Sequence, residues 1–441
     1  MYEYLRIAYY LGNLLRHTHW SREKLLEYRD LKVRETVKYA YEHVPFYHEK
    51  FRQLGLRPEE VKNVEDLRKL PVVRRRELQK NADKLISDEF DISKLKRIST
   101  SGSTGQPLFT YITKKEDAFR KAKLLRANII CGQKPRDKWV VIAAPQHQAE
   151  EYRLQRFLGV YSPISVSVFD DTAAQISKIE RIKPDILDGY SSSLLLLAKE
   201  TEKKGIENIR PRMIIGGAEL IDGSSRKFIE AVFNAPFYDE YAIVELERLA
   251  WQCEEKAEYH IDADSVIMEF VDDKGEEVES GRTGEIVCTS LFNRAMPFIR
   301  YATGDLGRAS KENECSCGRV FPLMDVIEGR KDSLIVLPDG RVLSPLVFGW
   351  TMEFFKFYSC IDQYRVIQKK TDLFKFLVKK RDNAVNEKVM EVELVAHVRQ
   401  MLNVSESEAT FEVEFVDDIP LEKSGKLRKV VSELKTSESS I

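Results

Sequence analysis

Trp139-Val140-Val141-Ile142-Ala143-Ala144 is an unbroken apolar run. A strand covered on one face would alternate polar with apolar residues, so this run predicts a strand buried on both faces. Ile164-Ser165-Val166-Ser167-Val168-Phe169, Asp185-Ile186-Leu187 and Arg212-Met213-Ile214-Ile215 are further candidate strands. Stretches with helical spacing separate them, at Thr172 to Ile182, Ser193 to Lys204 and Ser224 to Phe233. Strands that alternate with helices of this length predict an α/β fold with a mostly parallel, doubly wound sheet.

The texture changes on either side. Upstream, Leu5, Tyr9 and Leu15, then Leu25, Leu31, Val37 and Tyr41, recur near helical spacing and predict a helical lead-in over 1–100. Tyr2, Tyr4, Tyr9 and Tyr10 read as a face that docks the first helix on its own domain, with a membrane-surface or partner face as the alternative. Arg74-Arg75-Arg76 reads as solvated surface. Downstream, 256–330 is strand-rich, with turns at Asp272-Asp273-Lys274-Gly275 and Ser280-Gly281, and predicts antiparallel sheet or a small β-barrel-like subdomain. Past Gly329-Arg330 come strands at 364–368 and 374–378, a helix at 386–402 and a strand at 410–416, which predict a small α+β domain. The expected division is a core over 1–330, with its α/β part at 101–255, and a second domain over 331–441.

Composition narrows the function classes. Lys plus Arg total 70 and Asp plus Glu 71, a formal net charge of −1, which argues against a chain built to neutralise nucleic-acid backbones but leaves room for a nucleotide ligand. A hydrophobic fraction of 43% supplies packed cores and excludes general disorder. Six cysteines are too sparse for a disulfide scaffold. No run approaches the roughly 20 apolar residues of a membrane span, and Met1 opens no leader-like segment. A cytoplasmic protein is the expectation.

The strongest local motif is Ser99-Thr100-Ser101-Gly102-Ser103-Thr104-Gly105-Gln106-Pro107. Its glycines let backbone N–H groups fan around an anion, and its hydroxyls add donors. It lacks the lysine of the Walker pattern, and an ordinary Ser/Gly surface loop is the alternative. Four weaker segments accompany it: Tyr238-Asp239-Glu240-Tyr241-Ala242-Ile243-Val244-Glu245, Tyr301-Ala302-Thr303-Gly304-Asp305, Gly329-Arg330-Lys331-Asp332 and Pro420-Leu421-Glu422-Lys423-Ser424-Gly425-Lys426. Separately, Cys253, His260, Cys315 and Cys317 offer three thiolates and an imidazole, the donor set of a closed tetrahedral zinc site. Two reduced surface thiols and an unrelated core histidine are the competing reading.

In this order and spacing the motifs resemble the adenylate-forming superfamily, and within it the phenylacetate–coenzyme A ligase branch with its CapK-like capsular-polysaccharide proteins. The resemblance extends over nearly the whole chain, through His43-Val44-Pro45-Phe46-Tyr47, Asp66-Leu67-Arg68-Lys69-Leu70-Pro71, Met296-Pro297-Phe298-Ile299-Arg300-Tyr301 and Cys315-Ser316-Cys317-Gly318-Arg319. It implies that Ser101, Gly102, Ser103, Thr104 and Gly105 cradle the ATP phosphates. Gly217, Ala218, Glu219 and Tyr241 would line the adenine, and Asp305 and Arg330 would hold the ribose. Glu245 would coordinate Mg²⁺, and Lys426 would reach the α-phosphate during attack by a carboxylate substrate. Residues 331–441 become a mobile lid with its hinge at Lys331 and Asp332. Similar Cys/His placements in the branch support structural zinc. His147 follows a strand where relatives place acyl-pocket residues, with a solvated loop histidine as the alternative.

The implied reaction is ATP-dependent activation of a carboxylic acid as an acyl-adenylate, followed by transfer to coenzyme A. The alternatives are adenylyl transfer to a hydroxyl acceptor, or a weakened paralogue acting in polysaccharide biosynthesis. The expected partners are the acid and ATP, without nucleic acid, with a homodimer as an open oligomeric state. Four positions depart from the family pattern: Gln106 replaces a lysine, Ala242 a glycine, Val244 a hydroxyl residue and Ala302 an arginine.

Overall fold

A computed structural model describes residues 2–99, 108–144, 153–255, 258–312, 314–330, 333–382, 384–422 and 424–434. The loop residues Ser101 to Gly105, His147 and the expected hinge Lys331-Asp332 lie outside the described residues.

In chain order, the lead-in comprises α1 (Tyr2–His17), α2 (Arg22–His43), α3 (Pro45–Leu54) and α4 (Arg75–Lys80), followed by a two-stranded hairpin, β1 (Lys96–Ser99) and β2 (Phe109–Ile112), and by α5 (Lys114–Ile130). Local chemistry sets these ends. Ser21 caps α2 by accepting from the Lys24 N–H, and Pro45 opens α3, where its missing N–H costs nothing. Thr113 and Glu116 form a reciprocal capping box at the start of α5.

The central segment alternates β3 (Trp139–Ala143), α6 (Arg153–Leu158), β4 (Pro163–Ser167), α7 (Thr172–Ile182), β5 (Ile186–Tyr190), α8 (Ser191–Lys203), β6 (Met213–Gly217) and α9 (Gly223–Phe233). A strand-rich segment follows: β7 (Phe237–Ile243), β8 (Glu247–Gln252), β9 (Tyr259–Ile261), β10 (Val266–Val271), β11 (Thr283–Ser290), β12 (Tyr301–Ala309) and β13 (Leu323–Arg330). The last segment holds β14 (Ile335–Val336), β15 (Val342–Leu343), α10 (Leu346–Glu353), β16 (Ile361–Lys370), β17 (Leu373–Lys380), α11 (Glu387–Leu402), β18 (Thr410–Phe415) and β19 (Val430–Ser432).

These elements form two compact units. The first joins Met1–Lys134 to Tyr238–Ile327. Its strands lie in the order β10-β11-β12-β13-β9-β8-β7, with antiparallel pairing of β10 with β11, β11 with β12, β13 with β9, β9 with β8 and β8 with β7. Antiparallel sheet is therefore the form taken by the strand-rich segment. The core of this unit combines lead-in residues such as Val33, Val37, Phe51 and Leu67 with Leu249, Ile267, Phe298 and Met324. Helix α1 docks on α5, and the Tyr10 ring meets Phe119 and Phe292 edge-on, each at 5.5 Å. Arg74 and Arg76 of the arginine run are exposed, as a surface run should be, but the run also neutralises buried acids: Arg74 Nη1 donates to both oxygens of Glu285, at 3.1 and 3.0 Å, and half-buried Arg75 pairs with Glu245. A fully buried network ties α5 to β8, where Arg126 holds Asp262 and Asp264, while Arg248 Nε and Trp251 Nε1 donate to Asp262 at 3.1 and 3.0 Å. Each charge finds an opposite charge and hydrogen bonds, which is what allows burial.

The second unit joins Pro135–Phe237 to Glu328–Ile441. Its parallel strands run β6-β5-β3-β4. Val140, Ile142, Val166, Leu187 and Ile214 pack in one core with Ile176, Ile179, Leu194, Leu197, Ile229 and Phe233 of α7, α8 and α9. The C-terminal part has its own sheet, β18-β17-β16-β19, and its own core. Helix α11 buries Met390, Leu394, Val398 and Leu402, a stripe at four-residue spacing, into that core. Among the described residues no helix is long and apolar enough to cross a membrane.

Candidate functional site

In the first unit, strand alternation turns Asp239 and Tyr241 of β7 inward. The Tyr241 hydroxyl donates to Asp305 Oδ2 at 2.7 Å and lies 3.4 Å from Thr303 Oγ1. Burial, reinforced by the Asp305 charge, raises the Tyr241 pKa far above that of a free phenol, so the hydroxyl remains a donor. Thr303 in turn accepts from the Asp305 N–H at 3.1 Å and donates to the Ile286 carbonyl at 3.0 Å. Gly304 between them has φ +80, a conformation that favours glycine.

Glu245 sits on the turn between β7 and β8 and is buried. Its Oε1 accepts from the Tyr301 hydroxyl at 3.0 Å and from Arg75 at 3.2 Å. Helix α5 clamps the turn from beneath. Arg120 donates to the carbonyls of Val244 at 2.8 Å and Glu245 at 3.3 Å, and Lys123 to that of Leu246 at 3.0 Å. Burial lowers the Lys123 pKa to about 8. Ala242 does not need a glycine's freedom here. The β7–β8 register shifts between Tyr241 and Ala242, and the positive φ of the turn falls on Glu247 at +64.

In the second unit, β6 ends in Gly217, and Ala218 follows at φ +64. For a residue with a Cβ this left-handed conformation costs about 1–2 kcal/mol. The Ala218 carbonyl accepts Lys426 Nζ at 2.9 Å. The same ammonium lies 5.6 Å from the centre of the Tyr190 ring, a cation–π distance. Glu219 Oε2 accepts the Ser192 N–H at 3.0 Å, at the start of α8. Burial raises its pKa against that hydrogen bond. Lys426 rides a tight turn in which the Gly425 N–H donates to the Glu422 carbonyl and the Glu422 N–H to the Lys426 carbonyl. Gly425 has φ +81, and a Cβ there would stand 2.4 Å from Val168 Cγ1. Arg330 closes β13 in the same unit, half-buried.

The cysteine–histidine set also comes together, in the first unit. Cys253 follows β8, His260 lies on β9, and Cys315 and Cys317 occupy a turn ahead of β13. Their ligand atoms all lie within 4.8 Å of one another, with Cys253 Sγ to Cys315 Sγ at 3.7 Å and Cys317 Sγ to His260 Nε2 at 3.3 Å. Burial, helped by the Arg319 charge, pushes His260 down to about 4, which keeps the imidazole neutral and able to ligate. Arg319 forks onto Glu254 at 2.9 and 3.0 Å beside the cluster.

No family model matches the chain. It is 28% identical over 336 residues to a phenylacetate–coenzyme A ligase of Thermus thermophilus, covering 72% of each chain. It is 22% identical over 422 residues to the protein CapK of Staphylococcus aureus, covering 93% of this chain and 90% of that one. Its fold matches a crystal structure of 2-hydroxyisobutyryl-CoA ligase in the postadenylation state in complex with R3-HIB-AMP, with a TM-score of 0.78, 19% identity and coverage of 95% and 91% of the two chains. In sequence the chain is thus similar to phenylacetate–CoA ligases and CapK, and in fold to an acyl-CoA ligase. The structure joins Tyr241 to Asp305, and Lys426 to Ala218. Sequence reasoning missed Arg75, Arg120, Lys123, Tyr301, Ser192 and Tyr190. One signal was available: Arg120, Lys123 and Arg126 recur every third residue on a helix, too regular and too close to apolar neighbours for a purely solvated face.

Proposed function

We propose that this protein activates a carboxylic acid with ATP and passes the acyl group to coenzyme A. One observation carries the reading: a loop lysine, Lys426, is delivered to the strained Gly217-Ala218-Glu219 turn at the end of a parallel strand. In open α/β sheets such strand ends are where ligands bind. A carboxylate oxygen attacks the α-phosphorus and pyrophosphate leaves, giving an acyl-adenylate. Negative charge grows on the α-phosphate oxygens in the transition state. An ammonium that exchanges a backbone carbonyl for those oxygens stabilises that charge more than the ground state. Thiol attack on the acyl carbon then expels AMP and forms the thioester.

The remaining roles follow the same reading. Asp305 takes the ribose hydroxyls with Arg330, and Tyr241 fixes the Asp305 carboxylate while lining the adenine with Gly217, Ala218 and Glu219. Ser101 to Gly105 hold the phosphates, and His147 borders the acyl group. Glu245 would offer Mg²⁺ a hard carboxylate oxygen, and the ion would neutralise phosphate charge. Tyr301 and Arg75 orient that carboxylate. Zinc fits the Cys253, His260, Cys315 and Cys317 donor set. A Zn–S bond of about 2.3 Å gives a tetrahedral S···S edge of about 3.8 Å, close to the 3.7 Å between Cys253 and Cys315. It would pin the turn at 315–318 to β8 and β9. The lid over 331–441 pivots at Lys331-Asp332, and the protein acts in the cytoplasm, as a monomer or homodimer, without nucleic acid.

The test is AMP release over a carboxylate panel with Mg·ATP, with and without coenzyme A. Coenzyme A-dependent turnover and a thioester product are expected. A stable adenylylated hydroxyl product formed without thiol would replace the ligase reading by adenylyl transfer. Full cellular function of Lys426→Ala at unchanged protein level would favour the weakened paralogue.

A further inference from the structure

The contact of Lys426 with Ala218 depends on what holds the chain around it. On the C-terminal side two anchors follow within three residues. The Leu427 N–H donates to Ser192 Oγ at 3.3 Å. Lys429 Nζ then donates to Asp222 Oδ2 at 2.7 Å and lies 3.2 Å from Ser225 Oγ. On the N-terminal side stands the Gly425 turn, closed against Val168.

Asp222 is built to receive that lysine. Its side chain is only 3% exposed. It caps α9, with Oδ1 accepting the Ser225 N–H at 2.8 Å and the Ser224 hydroxyl at 2.7 Å, and Oδ2 accepting the Ser225 hydroxyl at 2.9 Å. Burial opposes its charge, but the Lys429 ammonium and these donors override burial and hold the carboxyl well below the usual range. A buried pair of this kind adds little net stability, yet it is directional, and losing either partner strands the other. Asp222 and Ser192 also flank the very turn that Lys426 addresses, since Ser192 binds Glu219 and Asp222 opens the helix after it.

We propose that Asp222 and Lys429 are positioning residues: their pair sets the register of the 424–429 segment and thereby places the Lys426 ammonium on the Gly217-Ala218-Glu219 turn. This rests on the role given to Lys426 above, and it adds two residues that carry no chemistry themselves. A loop lysine displaced by about 1 Å can lose as much as a hundredfold in rate, so such a device matters out of proportion to its stability.

Two arms test it on the full-length protein. The first measures acid-dependent pyrophosphate release for wild type, Lys429→Met, Lys429→Arg, Asp222→Asn, Lys426→Ala and the Lys426→Ala/Lys429→Met double variant. Asp222→Asn keeps the cap through its amide oxygen and so guards against a folding defect. Lys429→Met and Asp222→Asn are expected to lower kcat by about tenfold or more, with KM for ATP within about twofold. Lys429→Arg should restore most of the rate. Lys429→Met should slow the Lys426→Ala enzyme no further, because both act through one ammonium. An equal slowing in both backgrounds, or an unchanged kcat, would overturn the proposal. The second arm needs no substrate: amide hydrogen exchange across residues 424–428 should quicken by about tenfold or more in Lys429→Met. Unchanged exchange overturns the positioning role by itself. Quickened exchange in a protein that releases pyrophosphate with no acid would uphold the anchor and defeat only the catalytic reading.

Discussion

Glu245 and Lys426, one in each unit, are the two charged groups given catalytic roles in the proposal, and the fold treats them in opposite ways. Glu245 is buried; a phenol and a guanidinium donate to its carboxylate, and α5 grips the carbonyls of its turn. Lys426 rides a glycine turn and donates to a main-chain oxygen of a residue in a strained conformation. The acid's pose is thus made by contacts that also hold the unit together. The lysine's pose is made by a short segment whose contact with a carbonyl would, in the proposed reaction, be exchanged for a phosphate. Disturbing the first should cost folding, and disturbing the second should cost turnover.

The largest effect expected is on the lysine side. Lys426→Ala should lower kcat for pyrophosphate release by about 10²–10³-fold, as loss of a transition-state donor does, with no change in melting temperature. A clear fall in stability would break the contrast. On the acid side, Arg75→Met leaves the buried Glu245 carboxylate without its cation. It should lower unfolding free energy by about 2 kcal/mol, less than a fully buried pair because Arg75 is partly exposed, as read by urea denaturation. An unchanged midpoint would show that the glutamate is not held by that pair.

A third carboxylate sharpens the comparison. Asp188 on β5 accepts from the Trp139 indole at 3.0 Å, and burial raises its pKa to about 7 in spite of that bond. The folded chain therefore keeps a proton that the unfolded chain has lost, and this group's contribution falls as pH rises from about 4 to about 7. Asp188→Asn, which cannot ionise, should be about 1–2 kcal/mol more stable than wild type at pH 8 and nearly equal at pH 4.5. Parallel stability curves across that range would contradict the burial argument. The smallest effect expected is for Tyr241→Phe, which removes the donor to Asp305. A loss of about 1 kcal/mol, seen as roughly a fivefold rise in KM for ATP, is the expectation. An unchanged KM would detach Tyr241 from the ribose carboxylate.

Much of the fold was legible because its signals are local. The apolar run at 139–144 and its three successors became β3 to β6, since parallel strands buried on both faces write themselves as continuous runs. Helix α7 covers Thr172–Ile182, the range its spacing predicts, with Asp171 capping it in the structure. Within the site, Tyr241, Glu245, Asp305 and Lys426 stood out through motif order. Their partners did not. Arg75 meets Glu245 across 170 positions, and Lys429 meets Asp222 across 207. No period links residues so far apart, and a run such as Arg74-Arg75-Arg76 reads like any basic surface. The strain at Ala218 was equally hidden, because a left-handed turn is usually announced by glycine.

The most direct measurement is pyrophosphate release with Mg·ATP over a panel of aromatic, aliphatic and amino acids, run side by side for wild type and Lys426→Ala. Acid-dependent release by wild type, lost in the variant at equal stability, is the predicted result. Release by neither protein with any acid, or equal release by both, would contradict carboxylate activation through Lys426.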